Sequence, residues 1–206
     1  GGGIGYDFST LRPKGAPVKG VGADASGPLS FMDVWDAMCR TIMSAGSRRG
    51  AMMATMRCDH PDIRAFIEAK RDPGRLRMFN LSVLVTDAFM EAVAADAEWS
   101  TTRRTDGQPV KTMKARNLMR QISDAAWRCA DPGMQYETTC EAWNTVPNTD
   151  KINATNPCSE FVFIDDTACN LASVNLVKML RKDNTFDVDM FKHACRVFTL
   201  AQEILV

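Results

Sequence analysis

From Leu29 onward, apolar residues recur at helical spacing (Phe31, Val34, Trp35, Met38, Ile42), and the run stops at Gly46. That pattern predicts an amphipathic helix leading into a tight basic loop over residues 44–50. Pro61 suits a first helical turn, and Ile63, Phe66 and Ile67 continue a short helix towards Lys70 until Asp72-Pro73-Gly74 breaks it. Phe79–Val85 alternates and is rich in branched residues, which predicts a strand, and Thr86 is placed to cap a helix reaching about Asp96. Glu98–Thr102 and residues 110–112 form a hairpin around Asp106-Gly107, and Ile122, Ala125, Ala126 and Cys129 mark a helix ended by Asp131-Pro132-Gly133. A polar, turn-rich stretch over residues 144–155 precedes a strand near 173–176 and a last helix from Asp187, apolar at Met190, Phe191, Ala194, Val197, Phe198 and Ala201. Gly1 to Gly5 reads as a glycine-rich turn, and the stretch through Asp24 as loop. Helices alternating with strands predict an α/β architecture, without internal repeat or low-complexity segment.

Composition narrows the classes. With 206 residues, 45% of them hydrophobic, the chain can bury a core. Twenty-five basic and twenty-five acidic side chains cancel, so no overall field draws in nucleic acid. No apolar run is long enough to cross a bilayer and no secretory leader is visible, so the expected setting is cytoplasmic, without a membrane partner. The glycine start without methionine and the uncapped final helix suggest an internal piece of a longer protein, with residues 1–206 forming part of one domain. Seven scattered cysteines, an odd number, make no disulfide framework. Cys58 and His60 supply only two ligands, so no metal site is expected.

The densest chemistry is Asn156-Pro157-Cys158-Ser159-Glu160, with Cys169 eleven positions after Cys158. An amide, a thiol and a carboxylate share one loop. As residues alone they fit two readings: an ordinary turn with a packing cysteine, or a radical site. In the second, a cysteine thiyl removes a hydrogen atom beside an alcohol, the radical loses the hydroxyl as water, and a dithiol supplies two electrons. Cys158 suits the abstractor, Glu160 the base and Cys169 half of the dithiol; Asn156 donates and accepts hydrogen bonds without titrating. The intervening chain can span about 36 Å or double back so that both sulfurs address one substrate. Cys39, Cys58, Cys129, Cys140 and Cys195 fit packing roles.

These blocks, with Asp165 to Leu176, Gly1-Gly2-Gly3-Ile4-Gly5 and Leu11-Arg12-Pro13-Lys14-Gly15, resemble the large catalytic chain of ribonucleotide reductase in order and spacing. Pro157 and the Cys169-Asn170-Leu171-Ala172-Ser173 continuation resemble the class II, adenosylcobalamin-dependent branch. The resemblance implies a central fragment of a ten-stranded α/β barrel of the ribonucleotide reductase and glycyl-radical type. The implied activity is reduction of ribonucleotides to 2′-deoxyribonucleotides for DNA synthesis. Cys158 would abstract the 3′-hydrogen, Glu160 act on the 3′-hydroxyl, Asn156 orient the ribose hydroxyls and Cys169 form half of the reducing pair, its partner lying outside the fragment. Gly2, Gly3, Ser44, Arg48 and Leu171 would meet substrate; Arg12, Lys19 and Arg48 would meet a deoxynucleotide or ATP effector. The implied cofactor is adenosylcobalamin, the reductant of thioredoxin type, and the assembly a homodimer. Two rivals stand beside this reading: a class I large subunit with a separate radical-generating subunit, and a non-catalytic nucleotide-binding regulatory module.

Overall fold

The structure, a computed structural model, describes residues 2–44 and 48–206, the side chains of Met43, Ser44 and Arg48 excepted. It divides into two compact units, Gly1–Asp165 and Asp166–Val206. In the first, the elements are β1 (Gly3–Asp7), β2 (Pro17–Val18), β3 (Ala23–Asp24), α1 (Pro28–Thr41), β4 (Met43–Ser44), β5 (Arg48–Arg49) and β6 (Ala51–Arg57). They continue with α2 (Ile63–Ile67), β7 (Phe79–Val85), α3 (Asp87–Ala95), β8 (Glu98–Thr102), β9 (Pro109–Lys114), α4 (Ala115–Cys129), β10 (Gly133–Tyr136) and α5 (Glu137–Ala142).

The frame is a parallel sheet of four strands in the order β1-β6-β7-β10. Because side chains alternate across a strand, the sheet has two distinct faces. Met52, Ala54 and Met56 of β6 and Phe79, Leu81, Val83 and Val85 of β7 point to one. There they share a core with Met32 of α1, Ile63, Phe66 and Ile67 of α2, Phe89 of α3, and Leu118, Ile122 and Ala125 of α4. On the other face lie three lateral rows: Gly5, Met53 and Asn80; Asp7, Thr55, Ser82 and Gly133; Arg57, Leu84 and Gln135. The α/β class is therefore observed, while the described strands form an open sheet and close no barrel.

The predicted strand at β7, the helix behind the Thr86 cap, the β8–β9 hairpin, α4 and the final helix are all present. Thr86 Oγ1 accepts from the Phe89 amide at 3.2 Å, as its position before α3 requires. Four expectations are corrected. The glycine-rich start is strand β1 rather than a turn, because Gly3–Asp7 pairs residue for residue with Ala51–Thr55. The first helix stops at Thr41, not Gly46, because Ile42 turns extended and β4 pairs with β5. Its inward stripe also differs: Met32 and Asp36 are buried, while Phe31, Val34, Met38 and Ile42 are exposed. Asp36 sets that rotation by accepting from the Met78 amide at 2.7 Å beside the entry to β7. Residues 173–176 form no strand. Asn175 Oδ1 accepts from the Val177 amide at 3.1 Å and starts a single 3-10 turn, Leu176–Met179, instead.

In the second unit, that turn is followed by an isolated bridge between Leu180 and Phe186 and by α6 (Val188–Leu205), capped by Asp187 Oδ1 on the Met190 amide at 2.9 Å. Phe186 and Phe191 meet edge-to-face with ring centres 5.7 Å apart.

Candidate functional site

The cysteine loop is closed by backbone. Thr155 and Val162 form an antiparallel bridge. Within it, the Ser159 amide donates to the Asn156 carbonyl at 3.0 Å, making a turn with Pro157 at the position its fixed φ favours. Ser159 completes the turn with φ of 66°. Asn156 Oδ1 accepts from the Phe161 amide at 3.0 Å, so this side chain braces the far side of the loop. Cys158, Ser159 and Glu160 are left exposed at the tip, while Thr155 and Pro157 are buried beneath them.

What buries them is the face of the sheet opposite the helices. A Cβ on Gly5 would lie 1.8 Å from the Thr155 carbonyl oxygen, and one on Gly3 would lie 2.8 Å from Cδ of Pro157. Chain crosses chain at those two glycines, which is why neither can carry a side chain. The other strands contribute hydrogen bonds. Thr55 Oγ1 of β6 lies 3.1 Å from the Asn153 carbonyl, Asn80 Nδ2 of β7 donates to the Pro157 carbonyl at 2.7 Å, and Gln135 Nε2 of β10 donates to Ser159 Oγ at 3.2 Å. Sequence reading assigned Gly3 to substrate and gave no role to Gly5, Thr55, Asn80 or Gln135. An Asn near the start of the otherwise buried strand Phe79–Val85 was the available signal for Asn80.

Cys169, Asn170 and Leu171 belong to the second unit and are exposed. Asn170 is tied to α6 in both directions: its Nδ2 donates to the Gln202 carbonyl at 3.4 Å, and Gln202 Nε2 donates to the Asn170 carbonyl at 3.0 Å. Space is open around Gly2. Arg12 and Lys19 are exposed; Lys19 stands at the tip of the small β2–β3 hairpin, beside Gly20 with φ of 83°. Ser44 and Arg48 are register partners in the β4–β5 pair, but their side chains and residues 45–47 lie outside the described residues.

A cavity of about 370 Å³ lies at the C-terminal ends of the parallel strands, lined by Asp7, Ser9, Arg57, Arg104, Glu137 and Asn153 among others. Its charges are mostly paired. Arg57 meets both Asp59 (3.3 Å) and Glu137, and Arg104 meets Asp59 at 3.3 Å. Burial raises the Asp7 carboxyl above the usual carboxylate range, although Ser9 and Thr55 both bond to its Oδ1 and pull the other way.

Cys58 is a packing thiol, with burial pushing it up to about 12. His60 is spent on structure. The Asp62 amide donates to its Nδ1 at 3.0 Å, which leaves the proton on Nε2, and Nε2 donates to the Leu11 carbonyl at 2.9 Å. Burial correspondingly lowers its pKa.

Comparison with known proteins shows the family. Residues 1–206 match the family described as ribonucleotide reductase, barrel domain. A vitamin B12-dependent ribonucleotide reductase of Rhodopirellula baltica is 42% identical over 234 residues, an alignment covering 100% of this chain and 22% of that protein. One of Streptomyces avermitilis is 38% identical, again over 100% of this chain and 24% of its own length. A vitamin B12-dependent ribonucleoside-diphosphate reductase of Mycobacterium tuberculosis is 41% identical across 96% of this chain and 28% of its own. The chain thus spans roughly a quarter of the length of these relatives. Agreement with the family pattern over all 206 residues makes this chain a member of the ribonucleotide reductase barrel-domain family.

Proposed function

We propose that the protein to which this chain belongs reduces ribonucleotides to 2′-deoxyribonucleotides, and that the Cys158 loop is its radical centre. The observation that carries this reading is an exposed thiol at the tip of a loop whose two flanks are clamped to a rigid sheet. Hydrogen-atom transfer needs reacting atoms held close, and a preset loop supplies that order before substrate arrives.

In the proposed sequence, the Cys158 thiyl takes the 3′-hydrogen and becomes a thiol. The Glu160 carboxylate takes the 3′-hydroxyl proton while the 2′-hydroxyl leaves as water, protonated by a thiol of the reducing pair. That pair, containing Cys169, then gives its second hydrogen to C2′ and its remaining electron to the 3′-carbonyl, closing to a disulfide, while Glu160 returns its proton to the 3′-oxygen. Cys158 then returns its hydrogen to C3′ and is a thiyl again. Asn156, braced through Oδ1, presents its amide to the ribose hydroxyls. Gly2, Gly3 and Leu171 are proposed along the nucleoside, with Ser44 and Arg48 linking it to an effector held by Arg12 and Lys19. A thioredoxin-type protein would reduce the disulfide, and the parent would work as a homodimer with its barrel completed by strands outside this chain.

The names of the relatives support adenosylcobalamin as the radical source over a separate radical-generating subunit. The residues described here do not themselves fit a corrin. The cavity of about 370 Å³ is near the lower limit for drug-sized ligands, far smaller than a corrin, and Cys158 is not in its lining. The cofactor is therefore assigned to other parts of the parent, and the isolated chain is expected to be inactive.

The test is Cys158→Ser in the full-length parent, assayed with adenosylcobalamin and no second subunit. Nucleotide reduction should be abolished while effector binding persists. Retained reduction would defeat the thiyl assignment, and wild-type inactivity without an added subunit would defeat the cobalamin assignment. A purely regulatory module would show effector binding and no reduction in either protein.

A further inference from the structure

We infer that Asn80 is a positioning residue for the Cys158 thiol, acting through the peptide that carries it; this rests on the reading of Cys158 as the radical centre. Asn80 Nδ2 donates to the Pro157 carbonyl at 2.7 Å. Because a carbonyl only accepts, the amide orientation of Asn80 follows from chemistry. The Pro157 carbonyl shares a planar peptide group with the Cys158 nitrogen, so fixing the oxygen fixes the plane from which the cysteine side chain departs.

The base of this bond is stiff. Asn80 sits on β7, an interior strand of the sheet, and its neighbours Phe79 and Leu81 are 0% and 1% exposed. Their backbones are pinned as well: Lys70 Nζ donates to the Phe79 carbonyl at 2.7 Å, and the Leu81 amide donates to Asp131 Oδ1 at 3.0 Å. Lys70 and Asp131 also pair directly at 2.6 Å, tying both anchors together. In register, Asn80 shares a row with Met53 and Gly5, and at Gly5 the loop's Thr155 lies against bare backbone. The same row thus offers a surface for the loop to rest on and a donor to hold it.

Cys158 is exposed at the tip and is not part of the buried core cluster. Its placement depends on what holds its neighbours: Asn80 before it and Gln135, through Ser159 Oγ at 3.2 Å, after it. Of the two, Asn80 has the shorter side chain, the shorter bond and a backbone acceptor, so it transmits the sheet's position most directly. Asparagine is disfavoured in strands, and Asn80, the exposed second residue of Phe79–Val85, uses its side chain to hold the loop peptide.

The experiment compares Asn80→Ala and the isosteric Asn80→Asp in the full-length parent with adenosylcobalamin, alongside Cys158→Ser. Misplacing a reacting group by a fraction of an ångström should lower kcat by about tenfold or more. Substrate KM should stay within about twofold, since ground-state binding is untouched, and the unfolding temperature should not change. Wild-type kcat in either Asn80 variant overturns the inference. A raised KM with kcat preserved also overturns it, by putting Asn80 on the substrate, as does a loss of kcat that only tracks a lowered unfolding temperature in both variants. Turnover by Cys158→Ser removes the underlying reading and this inference together, and is recognised because it does not involve residue 80.

Discussion

The two faces of the parallel sheet are built from alternate residues of the same strands, yet they hold their neighbours by different means. Towards the helices, β6 and β7 present Met52, Ala54, Met56, Phe79, Leu81, Val83 and Val85, all buried in one apolar cluster. Towards the cysteine loop they present Met53, Thr55, Asn80 and Ser82, beside Gly5 and Asp7 of β1. The helix face gains its energy from area, which is non-directional and tolerates exchange of one apolar shape for another. The loop face works by missing atoms and aimed hydrogen bonds, which set position rather than bulk stability. One strand can therefore belong to the core and to the site at once, because its side-chain period is two.

The contrast can be broken from either side. Phe79→Ala should destabilise the chain by about 3–5 kcal/mol, read from denaturant unfolding, since a fully buried ring leaves a cavity among helices. A cost as small as that of a surface substitution would contradict the assignment of that face. Gly5→Ala should act on the other side. Its Cβ would need the space 1.8 Å from the Thr155 oxygen, so the loop must lift, and turnover of the parent should fall by about 100-fold. Undiminished turnover would show that the loop is not seated there.

Thr55→Val sharpens the comparison at smaller scale. This buried hydroxyl has one proton and three acceptors within reach, the Asn153 carbonyl at 3.1 Å, Asp7 Oδ1 at 3.2 Å and the Tyr6 carbonyl at 3.3 Å. Volume is kept and one hydrogen bond is lost, so about 1 kcal/mol of stability should go. The smallest effect concerns pH. No titrating side chain of β6 or β7 points to the helices, whereas Asp7 lies on the loop face with its pKa raised by burial. A carboxyl held above its unfolded value binds more protons in the folded state, so stability is greatest below the unfolded value near 3.9 and falls as pH rises through the folded one. Asp7→Asn should lose that slope and match or exceed the wild type at neutral pH; an unchanged slope would assign the titration elsewhere.

Much of the frame was legible because local chemistry and tertiary structure agree. Thr86 caps α3, Asp106-Gly107 turns the β8–β9 hairpin and Asp187 caps α6, each by bonds that span a few residues. Strands β1, β6 and β10 were not legible. β6 is buried on both faces, so Ala51–Arg57 shows no alternation, and β1 has glycines where alternation would show. The stripe of α1 was misassigned because a polar residue, Asp36, is drawn inward by a backbone amide from a distant segment.

The sequence by itself determined which side chains are on offer: an amide, a thiol and a carboxylate in one short loop, a second thiol eleven residues on, and the family to which such blocks are similar. Covalent neighbours and residue types suffice for that. Only the tertiary structure decided that Gly3 and Gly5 are seats for the loop and that Asn80, Thr55 and Gln135 hold it, since those contacts join strands 24 to 154 positions from their partners. A strand's own alternation says which residues share a face, but what lies on that face is set by chain arriving from elsewhere.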